Sequence, residues 1–162
     1  GRGLTTGTNS IFIGRDAGNN TAMTGTNNVL IGDDASPTAA AANNEFTLGN
    51  SSTAVLRCQQ TTITALSDQR DKTSIEDLPY GLDFIDSLQP RKFIWDNRAE
   101  IDSEGKKDVG FIAQDLQTVD DEWLNLVYDS NPERLEASYG KLIPVLVKAI
   151  KELKARVEAL EA

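Results

Sequence analysis

The chain has no histidine and a single cysteine in 162 residues. Without His, Ser-His and Cys-His catalysis are excluded, and with them most zinc sites. Cys58 alone forms no internal disulfide, so the chain is not a disulfide scaffold. Positive charge is scarce. The 16 Lys and Arg are outnumbered by 25 Asp and Glu, for a formal net charge of -9. That balance argues against nucleic acid as a partner and hinders non-specific binding to anionic surfaces. No apolar run approaches the length of a membrane span, so no membrane partner is expected, and no signal peptide is visible. No metal-ligand cluster and no phosphate-cradling Gly loop occurs, so neither metal nor cofactor is expected. The length suits one or two small domains. Gly1 follows no Met, and a longer parent chain is expected.

What is present divides in two. Residues 1–58 hold seven charges: Arg2, Arg15, Asp16, Asp33, Asp34, Glu45 and Arg57. The rest of that stretch is mostly Gly, Asn, Thr, Ala and Ser. Residues 59–162 hold the remaining charges and both Trp. The first part repeats itself. Asn9-Ser10-Ile11-Phe12-Ile13-Gly14 returns as Asn27-Asn28-Val29-Leu30-Ile31-Gly32, and again as Asn44-Glu45-Phe46-Thr47-Leu48-Gly49, at spacings of 18 and 17 residues. Each unit reads as a short strand closed by Gly. Two-residue alternation places Ile11 and Ile13, Val29 and Ile31, and Phe46 and Leu48 on one face. Three short strands cannot bury that face alone, whereas stacked coils of several chains can. A Gly/Asn/Thr linker is the plain alternative, but linkers do not repeat apolar pairs in phase. The repeat resembles those of trimeric phage fibres and trimeric bacterial adhesin heads.

The second part has an α+β pattern. Strands are expected at 59–65, 92–95, 109–112 and 124–128, with a polar loop at 102–107. Short helices are expected at 80–88 and 113–119, and a long one from Tyr139 to the end. In the long helix Ile143, Leu146, Ile150, Leu153, Val157 and Leu160 recur at steps of three and four, the seam of a coiled coil. A helix packed on its own domain is the plain reading; a seam that persists to the end, with Lys, Glu and Arg on the other faces, favours a coil. Pro144 falls in the first turn, where it is tolerated. Taken alone, the seam residues favour two strands; the repeat favours three chains.

Between the parts lies Leu66-Ser67-Asp68-Gln69-Arg70-Asp71-Lys72. Without His, a Ser nucleophile needs another base, and a desolvated Lys can serve. Ser67 and Lys72 are five apart, which puts them on opposite faces of a strand and roughly 140° apart on a helix. Only a bend, or a contact between chains, brings them together. On spacing alone the same residues equally make a solvated turn.

This stretch resembles the S-D-x-R-x-K signature that opens the endosialidase-type intramolecular chaperone domain, the peptidase S74 family. Tyr80-Gly81-Leu82-Asp83-Phe84-Ile85, Leu88-Gln89-Pro90 with Phe93-Ile94-Trp95, Gly110-Phe111-Ile112-Ala113-Gln114-Asp115-Leu116, and Tyr139-Gly140-Lys141-Leu142-Ile143-Pro144-Val145-Leu146 are similar to later family segments, in order. The resemblance spans residues 64–162.

It implies an N-terminal β-repeat shaft segment at 1–58, trimeric and β-helix or β-prism like. A linker at 59–66 leads to the scissile bond. An α+β intramolecular chaperone domain at 67–162 ends in a coiled-coil helix at 139–162. The implied assembly is a homotrimer. Its folding client is the upstream phage fibre or tailspike, folded in the host cytoplasm and carried on the virion tail, with a host-surface receptor as a further partner of the mature fibre. The implied chemistry is a single self-cleavage between Leu66 and Ser67. Ser67 would be the nucleophile and Lys72 the base, with Asp68, Arg70 and Gln114 as supporting residues. Two other readings stay open: a fibre tip that does not cut, and a Ser-Lys protease acting on other proteins.

Overall fold

The computed structural model describes residues 3–19, 22–60, 62–96 and 105–162. Residues 102–104 of the expected polar loop lie outside them.

The repeat forms β1 (Ile11–Ile13), β2 (Val29–Ile31) and β3 (Phe46–Leu48). They pair parallel in one sheet, Ile11 opposite Val29 opposite Phe46, and Ile13 opposite Ile31 opposite Leu48. The residues between explain the Asn- and Gly-rich composition. Asn9, Asn27 and Asn44 each take φ near +60° (56°, 59° and 62°), and Asp16 and Asp34 do so at 55° and 56°. Asn and Asp enter this region more readily than other side chains. Each repeat therefore turns the chain at the same place. Gly32 takes φ 132°, and a Cβ there would lie 2.9 Å from the Gly49 Cα of the next coil. Only Gly permits that approach.

Side chains from the coils stack along the sheet. The Asn27 Nδ2 donates to Asn44 Oδ1 at 2.8 Å. Asn28 is fully buried. Its Nδ2 donates to the Ala42 carbonyl at 2.8 Å, and its Oδ1 accepts from the Glu45 N–H at 3.0 Å. Met23, Leu30 and Ala35 form a small core flanked by Leu4 and Phe12. The opposite face of the sheet is uncovered: Ile11, Ile13, Phe46 and Leu48 are exposed, Phe46 at 63%.

The second part has its own core of Leu88, Leu116, Leu124, Leu126, Leu142 and Val145. Leu116, Leu126 and Val145 are completely or almost completely buried, and each contributes about 1.5–3 kcal/mol. The surrounding elements are α1 (Leu82–Ser87), β4 (Arg91–Ile94), β5 (Lys107–Gly110), α2 (Ala113–Gln117), β6 (Val127–Tyr128), β7 (Glu136–Ala137) and α3 (Leu142–Glu161). The pairs β4–β5 and β6–β7 are antiparallel. The helix α1 starts at Gly81, which offers no capping side chain. Glu152 of α3 does the capping, accepting the Leu82 N–H at 2.8 Å. A Cβ on Gly81 would lie 2.2 Å from that carboxylate. A carboxylate at a helix start also suits the helix dipole.

Several elements differ from expectation. Residues 59, 60 and 62–65 form no strand and are exposed, because no neighbouring strand offers a ladder there. The expected strands at 92–95 and 109–112 lie at Arg91–Ile94 and Lys107–Gly110. Ile112 becomes the cap of α2, while Trp95 still bonds Lys106 beyond the formal strand, N to O at 2.9 Å. The strand expected at 124–128 shrinks to Val127–Tyr128. Asp121 Oδ1 holds Trp123 and Leu124 in a turn, with N–H donors at 2.9 and 3.0 Å. Asp120 then takes the N–H groups of Leu126 and Val127 at 2.8 and 3.0 Å. The long helix starts at Leu142, because residues 139–141 form the turn that leads into it.

Helix α3 has two apolar faces. Leu142, Val145 and Ala149 pack inward. Ile143, Leu146, Ile150, Leu153, Val157 and Leu160 face solvent, Ile150 at 65% and Leu160 at 87%.

Asn28→Ala leaves the Ala42 carbonyl and the Glu45 N–H without their partner, at a cost of about 2–4 kcal/mol. Urea unfolding followed by a probe on the repeat should show that loss. A change under about 1 kcal/mol would show that Asn28 does not tie the second and third coils.

Candidate active site

Thr62 to Leu66 has no regular structure and is exposed, with Leu66 wholly in solvent. The chain then turns sharply. Asp68 has extended backbone and caps a single 3₁₀ turn, Gln69–Asp71, by accepting the Arg70 N–H at 2.9 Å. An Asp at this place satisfies a donor that a short turn leaves free. Lys72 leaves the turn extended, with its N–H bonded to the Gln69 carbonyl at 3.1 Å.

This bend joins the two residues that no regular element could join. The Lys72 Nζ donates to the Ser67 Oγ at 2.6 Å. The contact forms within one chain and needs no partner copy to supply either group. Arg70 turns back on Asp68 as a fork, Nε to Oδ1 at 3.0 Å and the terminal nitrogen to Oδ2 at 2.6 Å. The fork occupies the carboxylate that could otherwise pair with Lys72. It also holds the Asp68 carboxyl below the usual carboxylate range, through the Arg70 side chain first and the Arg70 N–H second. Asp68, Arg70 and Lys72 therefore do not line one extended face; they belong to a turn.

Chemically, the site is a hydroxyl with an amine on it, next to the Leu66 carbonyl. That is the minimum for attack by Ser67 with Lys72 as proton carrier. Both side chains are exposed in the single chain. Gln114 is elsewhere, exposed in the first turn of α2, and makes no hydrogen bond to either. Its neighbour Asp115 pairs with Arg91 at 3.5 Å. The seam residues of α3 lie apart from the dyad, along the solvent face described above. No group of His, Cys, Asp and Glu able to hold a metal occurs among the described residues. Among them, no helix is long and apolar enough to cross a membrane.

Sequence reasoning missed two polar contacts around this part. Tyr80 donates its hydroxyl to Asp121, which raises the Tyr80 phenol and lowers the Asp121 carboxyl. Tyr128 donates to Glu45 at 2.6 Å across the whole linker. Both join residues far apart in the chain, and no local spacing signals them.

Residues 67–125 match the family described as peptidase S74, chaperone of endosialidase. The match begins at Ser67 and stops short of the terminal helix, whose resemblance rests on the quoted residues alone. No curated protein and no solved structure matches the chain.

The Asp68–Arg70 fork has a pH signature. Because the folded carboxyl titrates below its ordinary 3.8, the fork's contribution is present above that value. It is lost only as pH falls through the lower, folded one. A carbon-detected NMR titration should place the Asp68 midpoint below 3.8 and move it upward in Arg70→Ala. A midpoint unmoved by that substitution would show that the fork does not order the turn.

Proposed function

We propose that this chain, whose residues 67–125 match the family described as peptidase S74, chaperone of endosialidase, is a fibre segment joined to an intramolecular chaperone that cuts itself free. The observation that carries the reading is the 2.6 Å contact of Lys72 Nζ with Ser67 Oγ, at the first residue of the family match. The client is the upstream β-repeat, read as the end of a phage tail fibre or tailspike shaft. The assembly is a homotrimer, formed in the host cytoplasm and carried to the virion tail. The mature fibre would meet a host-surface receptor.

The proposed cleavage runs as an acyl transfer. Ser67 gives its hydroxyl proton to neutral Lys72, and its Oγ bonds to the Leu66 carbonyl carbon. The 66–67 C–N bond breaks as the lysine returns the proton to the departing Ser67 amine. Water then hydrolyses the ester, leaving a Leu66 carboxylate and the restored hydroxyl. Lysine acts as a base only when neutral, and a dry environment favours that form. The dyad is wet in one chain, so assembly is the proposed trigger: closing copies around residues 66–72 would remove the water. Asp68 and Arg70 position the turn. Gln114 has a supporting role only if a neighbouring copy brings it near.

Two features support assembly. The six seam residues of α3 face solvent in a single chain, as do four large apolar residues of the β-sheet. Exposed contiguous apolar surface of this kind marks an interface. A tether that registers three chains and is then cut leaves the shaft with a high unfolding barrier, which is kinetic stabilisation.

Expressed wild-type chain should yield fragments 1–66 and 67–162 by mass spectrometry. Ser67→Ala and Lys72→Ala should remain whole, and hydroxylamine should trap a Leu66 hydroxamate. An uncut wild type that is nevertheless trimeric would leave a structural fibre tip and remove the self-cleavage.

Leu153→Asp places a charge in the seam and should reduce the light-scattering mass from about three times the 17.6 kDa chain toward one, and abolish cutting. Cleavage by that variant at the wild-type rate would uncouple assembly from chemistry.

A further inference from the structure

Among the described residues, side-chain hydrogen bonds join the two parts of the chain at a place that neither the dyad nor the seam uses. The strands β6 and β7 form a small hairpin whose turn spans residues 129–135. Two of its side chains reach the third coil of the repeat. The Tyr128 hydroxyl donates to Glu45 Oε1 at 2.6 Å. The Asn131 Nδ2 donates to the Thr38 carbonyl at 2.8 Å. Both bonds bridge from one side of the Leu66–Ser67 bond to the other.

The acceptors exist in this arrangement only when the third coil is folded. Glu45 is fixed through its backbone by Asn28 and through its carboxylate by Thr38. It takes the Thr38 N–H at 2.8 Å and the Thr38 hydroxyl at 2.5 Å. The carboxylate that folds the Thr38 loop back on the strand is the one offered to Tyr128. In an unfolded coil, Thr38 and Glu45 are seven residues apart along a mobile chain, with no fixed spacing to match Tyr128 and Asn131. A phenol on a carboxylate is a charge-assisted bond, stronger than a neutral one. One effect opposes the contact: Glu136 in β7 is pushed up by burial first and by the Glu45 charge second, with Arg134 acting against both.

We propose that the β6–β7 hairpin is a docking element for the folded third coil of the repeat, and that its grip on Thr38 and Glu45 keeps the chaperone part on the shaft after the 66–67 bond is cut. The partner is this chain's own Asn-, Thr- and Ala-rich coil, recognised by one carboxylate and one main-chain carbonyl. The grip adds to the self-cleavage reading a holding step between cutting and departure. The contact itself does not require that the chain cuts itself.

The test separates the two. A site-specific protease sequence is inserted between Ala65 and Leu66 in the Ser67→Ala full chain, and the added protease makes the cut. The two fragments should then co-elute on size exclusion near 1 µM (on the order of the concentrations at which docked domains are assayed). Tyr128→Phe with Asn131→Ala should hasten their separation roughly tenfold or more, the effect of losing one charge-assisted and one neutral bond. Glu45→Gln, which leaves the hairpin untouched, should hasten it in the same direction, and circular dichroism should show all variants folded. Fragments that part at once with the hairpin intact, or that stay together equally well in both variants, would overturn the docking role. A wild-type chain that never cuts itself would remove the cleavage reading and leave this result standing.

Discussion

A single copy of this chain leaves two apolar faces in water, and that constraint organises the rest. One face is the outer side of the parallel sheet, with Ile11, Ile13, Phe46 and Leu48. The other is the seam of α3. Burying apolar area stabilises by about 25 cal/mol per Å², so each face is a standing drive toward association. Neither face can be closed from within. Among the described residues the sheet has three short strands, and β1 and β2 already turn Phe12 and Leu30 into the small core around Met23. The helix spends Leu142, Val145 and Ala149 on its own core and has nothing left to fold over the seam.

The dyad stands in contrast. Its geometry is local, set by one capped turn and one fork of six consecutive residues. What it lacks in one chain is cover. For the proposed self-cleavage, local geometry with non-local desolvation would be a workable division of labour. Under that proposal Ser67 and Lys72 would be in place from the start and would react only once solvent is excluded. Specificity for the assembled state then needs no moving part, only exclusion of solvent.

Much of this was legible in the sequence, for identifiable reasons. The in-phase apolar pairs marked where β1, β2 and β3 lie within their repeat units, because a two-residue period and a closing Gly leave little freedom. The exposed apolar positions of α3 were readable for the same kind of reason, recurring at steps of three and four. The turn at 67–72 was not, since its shape depends on the Asp68 side chain reaching the Arg70 N–H rather than on any periodicity. The strand expected at 59–65 failed because a strand needs a neighbour, which sequence alternation does not supply. The Asp120–Asp121 pair consumed what looked like the strand start at Leu124. Carboxylates that bind main-chain N–H groups override apolar patterning at short range. Leu82 with Glu152, and Tyr128 with Glu45, were invisible because their partners lie 70 and 83 residues away.

The contact between hairpin and third coil bears on what a tether is for. A covalent linker such as residues 59–66 raises the local concentration of two parts but carries no information about whether either is folded. Hydrogen bonds to Thr38 and Glu45 do carry it, because those acceptors converge only in the wound coil. A chaperone joined by both a linker and such a contact can let the linker do the early work, when the client is unstructured. The contact takes over once the last coil forms. The proposed cut would then cost little, since the linker's contribution would have been replaced by a grip on the folded coil. Retention set by a few exposed or half-buried hydrogen bonds is also reversible. In the proposed sequence, the surface that holds the folded coil would also let the chaperone part leave it, on a timescale fixed by those bonds.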